Sequence, residues 1–215
     1  MTIDAAAVAA NVAAVRAAIE ARTDRRVSLV AVTKGFDEHA VRAAMAAGAD
    51  GVGENYAQEM VAKAAALDGA TPPWHFIGQL QRNKVKMIVP LGVALWQTVD
   101  RGDLAREVAR RQPGARVLVQ VNTTAEAQKG GCEPSAAPAL VEECRTLGLA
   151  VDGLMTIGPA GPPEDARAGF RHLRRIADDL GLSGCSMGMS ADFEVAVDEG
   201  ATIVRIGSRL FGPRG

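Results

Sequence analysis

The sequence predicts a single α/β domain over residues 1–215, built as a closed (β/α)8 TIM barrel with an extra N-terminal helix. Eight short apolar, strand-like segments alternate without interruption with seven amphipathic, helix-like segments, and strict alternation is typical of parallel sheets. Repeats of about 25 residues match one small barrel. The alternative is a doubly wound open sheet. That fold carries a phosphate-binding Gly-x-Gly-x-x-Gly motif after its first strand, and this sequence has no such motif there.

The elements follow from the spacing of apolar residues. Val8, Val12, Val15 and Ile19 recur at helical spacing and predict an amphipathic helix over 4–22. Strands are predicted at 27–34, 50–53, 74–78, 94–98, 116–121, 151–156, 183–187 and 201–206. Helices are predicted at 37–47, 55–67, 82–89, 102–111, 134–147, 163–180 and 191–199. Glycines mark four helix ends, at Gly48, Gly148, Gly181 and Gly200.

Composition excludes several classes of protein. A net charge of −1, from 24 basic and 25 acidic residues, argues against nucleic acid or a membrane surface as the main partner. No apolar run is long enough to cross a bilayer, and the N-terminal residues do not read as a secretory signal. Three widely spaced cysteines suit neither a disulfide framework nor a zinc site, so we expect reduced thiols in the cytoplasm.

Lys34 is the first candidate functional residue. It ends the apolar strand 27–34, at the barrel end where the loops of such folds build the active site. By alternation it shares a face with Val30 and Val32. Either its ammonium group points into solvent, or it is partly buried with a lowered pKa and acts as a nucleophile towards carbonyls.

The loops after the last two predicted strands suggest a phosphate site. Ser190 is predicted to cap the helix at 191–199, and Gly207 and Ser208 follow the eighth strand. Barrels frequently hold phosphate here, on backbone N–H groups and hydroxyls. Capping and turn formation alone would also explain these residues. Asp192 would repel a phosphate if its side chain pointed inward.

Two polar residues are predicted to point into the barrel. Arg205 shares a strand face with Ile203, and a buried guanidinium needs an acceptor. Gln120 lies between Leu118 and Asn122 on the face of its strand. Its amide is either satisfied within a barrel layer or in contact with a ligand.

The remaining polar groups favour simpler interpretations. His75 lies between Trp74 and Phe76 in an apolar strand and reads as a core histidine. No histidine pair has metal-ligand spacing, and no Ser/His/Asp or Cys/His set indicates hydrolysis. Solvated helix faces are favoured for His39, His172, Arg82, Lys84 and Lys86.

A lysine, a phosphate-binding loop pair and an inward arginine together describe a site for pyridoxal 5′-phosphate. The chain resembles the YggS/PROSC (PLPBP) family of pyridoxal phosphate homeostasis proteins, which is related to the barrel domain of bacterial alanine racemase. The motifs that carry the resemblance are Val-Thr-Lys (32–34), Gly-Glu-Asn-Tyr (53–56), Trp-His-Phe-Ile-Gly-Gln-Leu-Gln-Arg-Asn-Lys (74–84), Val-Gln-Val-Asn (119–122), Gly-Leu-Met-Thr-Ile (153–157), Ser-Met-Gly-Met-Ser (186–190) and Val-Arg-Ile-Gly-Ser (204–208).

The resemblance implies a fold type III barrel that binds this cofactor and assigns roles to eight residues. Lys34 would form a covalent aldimine with the cofactor aldehyde, and Arg205 would donate to its ring nitrogen. The phosphate would be held by Ser190, Gly207 and Ser208. Asn55 would lie near the ring hydroxyl, with Met155 and His75 close by.

The resemblance also implies a function in cofactor homeostasis. The protein would bind, buffer or deliver pyridoxal phosphate, with apo PLP-dependent enzymes as recipients, and would not turn over a substrate. A monomer is expected, because no racemase-type dimerising domain follows the barrel. Two alternatives stay open: a small PLP-dependent amino-acid racemase, and a cofactor-free Schiff-base barrel of the aldolase type.

Overall fold

A computed structural model of the chain describes residues 3–124 and 126–213. Within these residues, eight parallel strands pair in chain order, and β8 pairs with β1 to close the barrel. The strands are β1 (Ser28–Val32), β2 (Gly51–Glu54), β3 (Trp74–Phe76), β4 (Val93–Val99), β5 (Arg116–Gln120), β6 (Ala150–Met155), β7 (Gly184–Ser186) and β8 (Ile203–Ile206). The predicted TIM barrel is confirmed.

Helices surround the strands. They are α1 (Ala5–Glu20), α2 (Glu38–Ala46), α3 (Ala57–Ala66), α4 (Val85–Ile88), α5 (Gly102–Arg111), α6 (Ala137–Thr146), α7 (Arg167–Asp179), α8 (Phe193–Asp198) and α9 (Ser208–Phe211). The extra helix α1 buries its four predicted apolar positions and packs on α2, α8 and α9. The four predicted stop glycines all have positive φ, from 65° to 92°, which is the left-handed conformation that ends helices.

Several elements are shorter than their apolar patterns predict. Strand β1 ends at Val32, two residues before Lys34. The segments 134–136 and 163–166 form 3₁₀ turns before α6 and α7. Each of these turns has proline near its start, where the missing N–H and fixed φ suit the first turn of a helix.

The ring of strands separates two buried regions, one between the strands and the helices and one inside the barrel. Most buried apolar residues lie between the strands and the surrounding helices. Inside the barrel, Leu95, Leu118 and Met155 form a small apolar layer with Ile203 against it. Among the buried polar side chains of the strands, those that share the inward faces are Gln97, Gln120, Ser186 and Arg205. Unpaired polar groups are costly in such surroundings, so their partners define the site.

The described residues 3–124 and 126–213 contain no helix with the length and apolarity needed to cross a membrane. The same residues show no group of His, Cys, Asp or Glu suited to a metal ion. All three cysteines are free thiols. Burial raises the pKa of Cys144 to about 12 and that of Cys185 to about 11.

Candidate cofactor site

A cavity of about 370 Å³ opens at the carboxyl ends of the strands. Apolar side chains, including Val32, Ile77 and Ile157, form part of its wall. Seven of the eight residues assigned by the resemblance line it: Lys34, Asn55, Met155, Ser190, Arg205, Gly207 and Ser208. These residues come from strands β1, β2, β6, β7 and β8 or the loops after them, so the fold brings distant segments together at one mouth.

Lys34 lies just beyond the end of β1, in a turn that passes along the edge of the cavity. Its side chain is half-buried. The backbone before it is tied to the barrel, because Thr33 N donates to Gly53 O at 3.2 Å. The amine is therefore presented to the cavity from a fixed strand end.

Ser190 joins the loops after β7 and β8. Its Oγ accepts from Gly207 N at 3.2 Å and from Arg209 N at 3.3 Å. The predicted helix cap is wrong, because α8 begins only at Phe193, with Asp192 at the cap position. Ser190 instead faces the segment after β8, where the backbone N–H groups of Gly207 and Arg209 both point at its Oγ. That arrangement suits an anion.

Asp192 is close to this loop and yet does not oppose an anion in the cavity. The side chain is 5% exposed and does not line the cavity. Its Oδ1 accepts from Met189 N at 2.6 Å. Burial raises the pKa of Asp192, and nearby Arg205 partly offsets this rise. The carboxylate thus binds the backbone of the loop after β7 on the side away from the cavity.

Arg205 points into the barrel, as its alternation with Ile203 predicts, and is 3% exposed. Its Nη1 donates to Ser186 Oγ at 2.7 Å, and its Nη2 donates to Thr156 O at 2.8 Å. Burial lowers the pKa of Arg205 to about 10, with Asp192 opposing that shift. The guanidinium therefore remains charged at neutral pH and can only donate hydrogen bonds.

His75 is the exception among the assigned residues. It does not line the cavity. Ser186 Oγ donates to Gln97 Oε1 at 2.6 Å, so the Gln97 amide nitrogen faces His75 Nδ1, at 2.7 Å. Burial lowers the pKa of His75 to about 4, which keeps the ring neutral. His75 is partly buried in β3, and hydrogen bonds through Gln97 and Ser186 connect it to Arg205.

Ser186 and Gln97 were not identified from the sequence. Gln97 shares the inward face of β4 with Leu95, and Ser186 lies at the end of the short strand β7. Alternation from Leu95 could have placed Gln97 inside. Gln120 is also buried, and its amide nitrogen donates to Lys129 O at 2.9 Å. Its Oε1 is buried with no hydrogen-bond partner among the described residues, so the amide is only half satisfied within the barrel.

The donor set fits pyridoxal phosphate on its chemistry. An amine can bond an aldehyde, the Ser190–Gly207–Arg209 contacts gather donors for a phosphate, and a guanidinium can donate to a ring nitrogen. Asn55 Oδ1 is buried and has no hydrogen-bond partner among the described residues. A ring hydroxyl would supply the donor that this oxygen needs.

Gly78 leaves room for the backbone of Asn55, which leads to a testable prediction. A Cβ on Gly78 would overlap the carbonyl oxygen of Asn55 and lie 2.7 Å from its Cα. Because backbone atoms cannot turn aside, we expect Gly78→Ala to cost about 1 to 3 kcal/mol in the free energy of unfolding. It should also displace Asn55 and weaken the binding of pyridoxal phosphate, measured by titration.

Gly102 provides the matched control for this substitution. A Cβ there would also meet an atom too closely, but that atom belongs to the carboxylate of Glu143, with Cδ at 2.6 Å. The end of a flexible side chain can move, and alanine favours the helix α5 that Gly102 begins. Gly102→Ala should leave stability and binding close to the wild type. Equal effects of the two substitutions would contradict this account.

Comparisons with known proteins agree with this geometry. The model of the family "Alanine racemase, N-terminal domain" matches residues 3–215. A pyridoxal phosphate homeostasis protein from Pseudomonas aeruginosa is 41% identical over 222 residues, covering 96% of each chain. Another from Aquifex aeolicus is 47% identical over 174 residues, covering 75% of this chain and 76% of the relative.

A solved structure adds a bound ligand to the comparison. PipY of Synechococcus elongatus, solved with PLP bound, is 32% identical. It superposes with a TM-score of 0.81, over 95% of this chain and 100% of that one. The matching family model spans nearly the whole chain, and close relatives share its length. This chain therefore belongs to the family of pyridoxal phosphate homeostasis proteins, which is built on the alanine racemase N-terminal domain.

Proposed function

We propose that this protein binds pyridoxal 5′-phosphate as an aldimine of Lys34 and buffers or delivers it within the cell, without turning over a substrate. The observation that carries the proposal is the convergence of Lys34, Arg205 and the Ser190–Gly207 loops on one cavity. The relatives' name, and the ligand in PipY, support the same cofactor. The whole chain would act as one cofactor-binding domain.

Lys34 would make the covalent attachment. Its neutral amine would add to the cofactor aldehyde, so that a C=N bond would replace the C=O bond and one water molecule would leave. The phosphate would be held by Ser190 and Ser208, together with the N–H of Gly207. Apolar contacts from Ile77, Met155 and Ile157 would exclude water from one side of the ring.

Arg205 limits what the site can catalyse. When bound, the cofactor supplies a conjugated ring that can take up electrons, most strongly when its nitrogen is protonated. Arg205 cannot accept a proton and would leave that nitrogen unprotonated. None of the described residues that line the cavity carries a carboxylate, imidazole or phenol. A racemase needs a second acid/base on the opposite face of the substrate, so this lining favours binding over turnover.

Apo forms of PLP-dependent enzymes would be the recipients of the cofactor, and the protein would work as a monomer. The cytoplasm is the proposed compartment, in keeping with three free cysteines and near-neutral charge.

Two measurements on the purified full chain test the function. Protein saturated with pyridoxal phosphate is mixed with an apo PLP-dependent enzyme, and recovery of that enzyme's activity is followed. The same protein is incubated with L-alanine or D-alanine, and chirality is followed. We expect transfer without racemisation. Sustained racemisation would favour the small racemase instead, and a chain that binds no cofactor would refute both functions.

A further inference from the structure

Lys34 occupies the second position of a tight turn. Phe36 N donates to Thr33 O at 3.0 Å, and Gly35 has a φ of +77°. A positive φ at the third position is the geometry of a type II turn, which glycine adopts without strain. The turn determines the direction in which the Lys34 side chain leaves the backbone.

Charged side chains hold this turn on both sides of the lysine, with Glu54 and Lys63 buried on one side and Glu59 about a third exposed on the other. Lys63 Nζ, from α3, donates to Thr33 O at 2.7 Å and to Glu54 Oε1 at 2.5 Å. The Thr33 hydroxyl donates to the same carboxylate oxygen. On the far side of the turn, Gly35 N donates to Glu59 Oε2 at 2.8 Å. The backbone is thus anchored immediately before and after Lys34.

Stability alone is a poor explanation for the Glu54–Lys63 pair. Glu54 is fully buried, and Lys63 is 5% exposed. Burying two charges is costly unless all their polar atoms are satisfied, and an apolar pair is often at least as stable. Glu54 Oε2 is buried with no hydrogen-bond partner among the described residues. Burial accordingly raises the pKa of Glu54, against the effect of Lys63.

We infer that the Glu54–Lys63 pair positions Lys34 for bond formation with the cofactor aldehyde, by fixing the turn from Thr33 to Phe36. This inference rests on the proposed function and adds two positioning residues to it. Glu54 also precedes Asn55, whose side chain lines the same cavity. The pair therefore keeps the ends of β1 and β2 in a fixed relation, and a small misplacement of a reacting group can cost a large factor in rate.

The first test removes the charges while keeping the volume. In the full chain, Glu54→Leu and Lys63→Met are combined, because an apolar pair can preserve stability. Pyridoxal phosphate is then titrated and the visible absorbance of the lysine adduct is followed, with the folded fraction taken from circular dichroism. We expect a similar melting temperature, with affinity for the cofactor weakened by about tenfold or more per folded molecule.

A second test needs only the Thr33 hydroxyl. Thr33→Val removes its bond to Glu54, and Thr33→Ser retains it. We expect the valine variant to form the adduct more slowly and the serine variant to restore the wild-type rate. If the pair served only stability, the two variants would form the adduct at the same rate per folded molecule.

The outcomes separate the two proposals. If the wild type forms no adduct with pyridoxal phosphate, the proposed function fails. If the wild type binds and the double variant and Thr33→Val bind equally well, the positioning role is overturned. Asp152→Asn is the control, because it breaks an ion pair with Arg116 at 2.7 Å near the opposite end of the barrel and should leave binding unchanged. Should the double variant fail to fold, the Thr33 pair decides alone.

Discussion

Replacing Lys34 by alanine is expected to abolish the visible absorbance that the wild-type protein acquires with pyridoxal phosphate. The absorbance arises from the C=N bond to the lysine amine, and alanine offers no amine. Lys34 is half-buried and lies in a turn outside the strands, so the free energy of unfolding should change by no more than about 0.5 kcal/mol. Absorbance titration and urea unfolding measure the two effects separately.

Lys86 is the matched control for Lys34. It lies exposed on α4, away from the residues that line the cavity. Lys86→Ala should bind pyridoxal phosphate like the wild type. Lys34→Arg should behave like Lys34→Ala, because a guanidinium keeps the charge and does not form this bond. Loss of absorbance in Lys86→Ala, or its persistence in Lys34→Ala, would contradict the assignment.

Replacing Arg205 by glutamate is expected to destabilise the protein by about 3 to 5 kcal/mol, the usual cost of leaving a buried charge without compensation. The new carboxylate would lose the bonds to Ser186 Oγ and Thr156 O. It would also stand near the buried carboxylate of Asp192, which now benefits from the arginine's charge. Urea unfolding with a fluorescence readout gives the change in free energy.

The same substitution should alter the bound cofactor. A carboxylate opposite the ring nitrogen favours its protonated form, whereas arginine favours the unprotonated form. In Arg205→Glu protein that remains folded, the pH at which the cofactor absorbance changes should move upward. Arg26→Glu is the control, at a side chain that is 89% exposed, and it should change neither property. An unchanged titration in Arg205→Glu would show that Arg205 does not contact the ring nitrogen of the cofactor.

The barrel and the convergence of Lys34, Ser190, Arg205 and Gly207 could be predicted because both depend on local patterns, whereas Asn55 and Met155 were assigned only through the family resemblance. Strand alternation predicted the fold, and Ile203 indicated that Arg205 points inward. Lys34 and the loops at Ser190 and Gly207 were found from their position at strand ends, and the cavity brings them together. Such signals lie within a few residues of each other in the chain, so a single sequence carries them.

The support behind the site could not be predicted, because it depends on contacts between elements. Lys63 lies on a helix, where a lysine normally faces solvent, and its partners Glu54 and Thr33 lie at the ends of two strands. The Ser190 bond to the β8 loop was also missed, because a serine before a helix reads as a cap. Tertiary packing decides which of these local options a side chain adopts.

The attachment point of the cofactor tests the central proposal most directly. Full-length protein is saturated with pyridoxal phosphate, reduced with borohydride to fix the C=N bond, digested and mapped by mass spectrometry. We expect one modified peptide, which contains Lys34. Modification at Lys63, Lys84 or Lys129 in place of Lys34, or no modified peptide, would contradict the proposal.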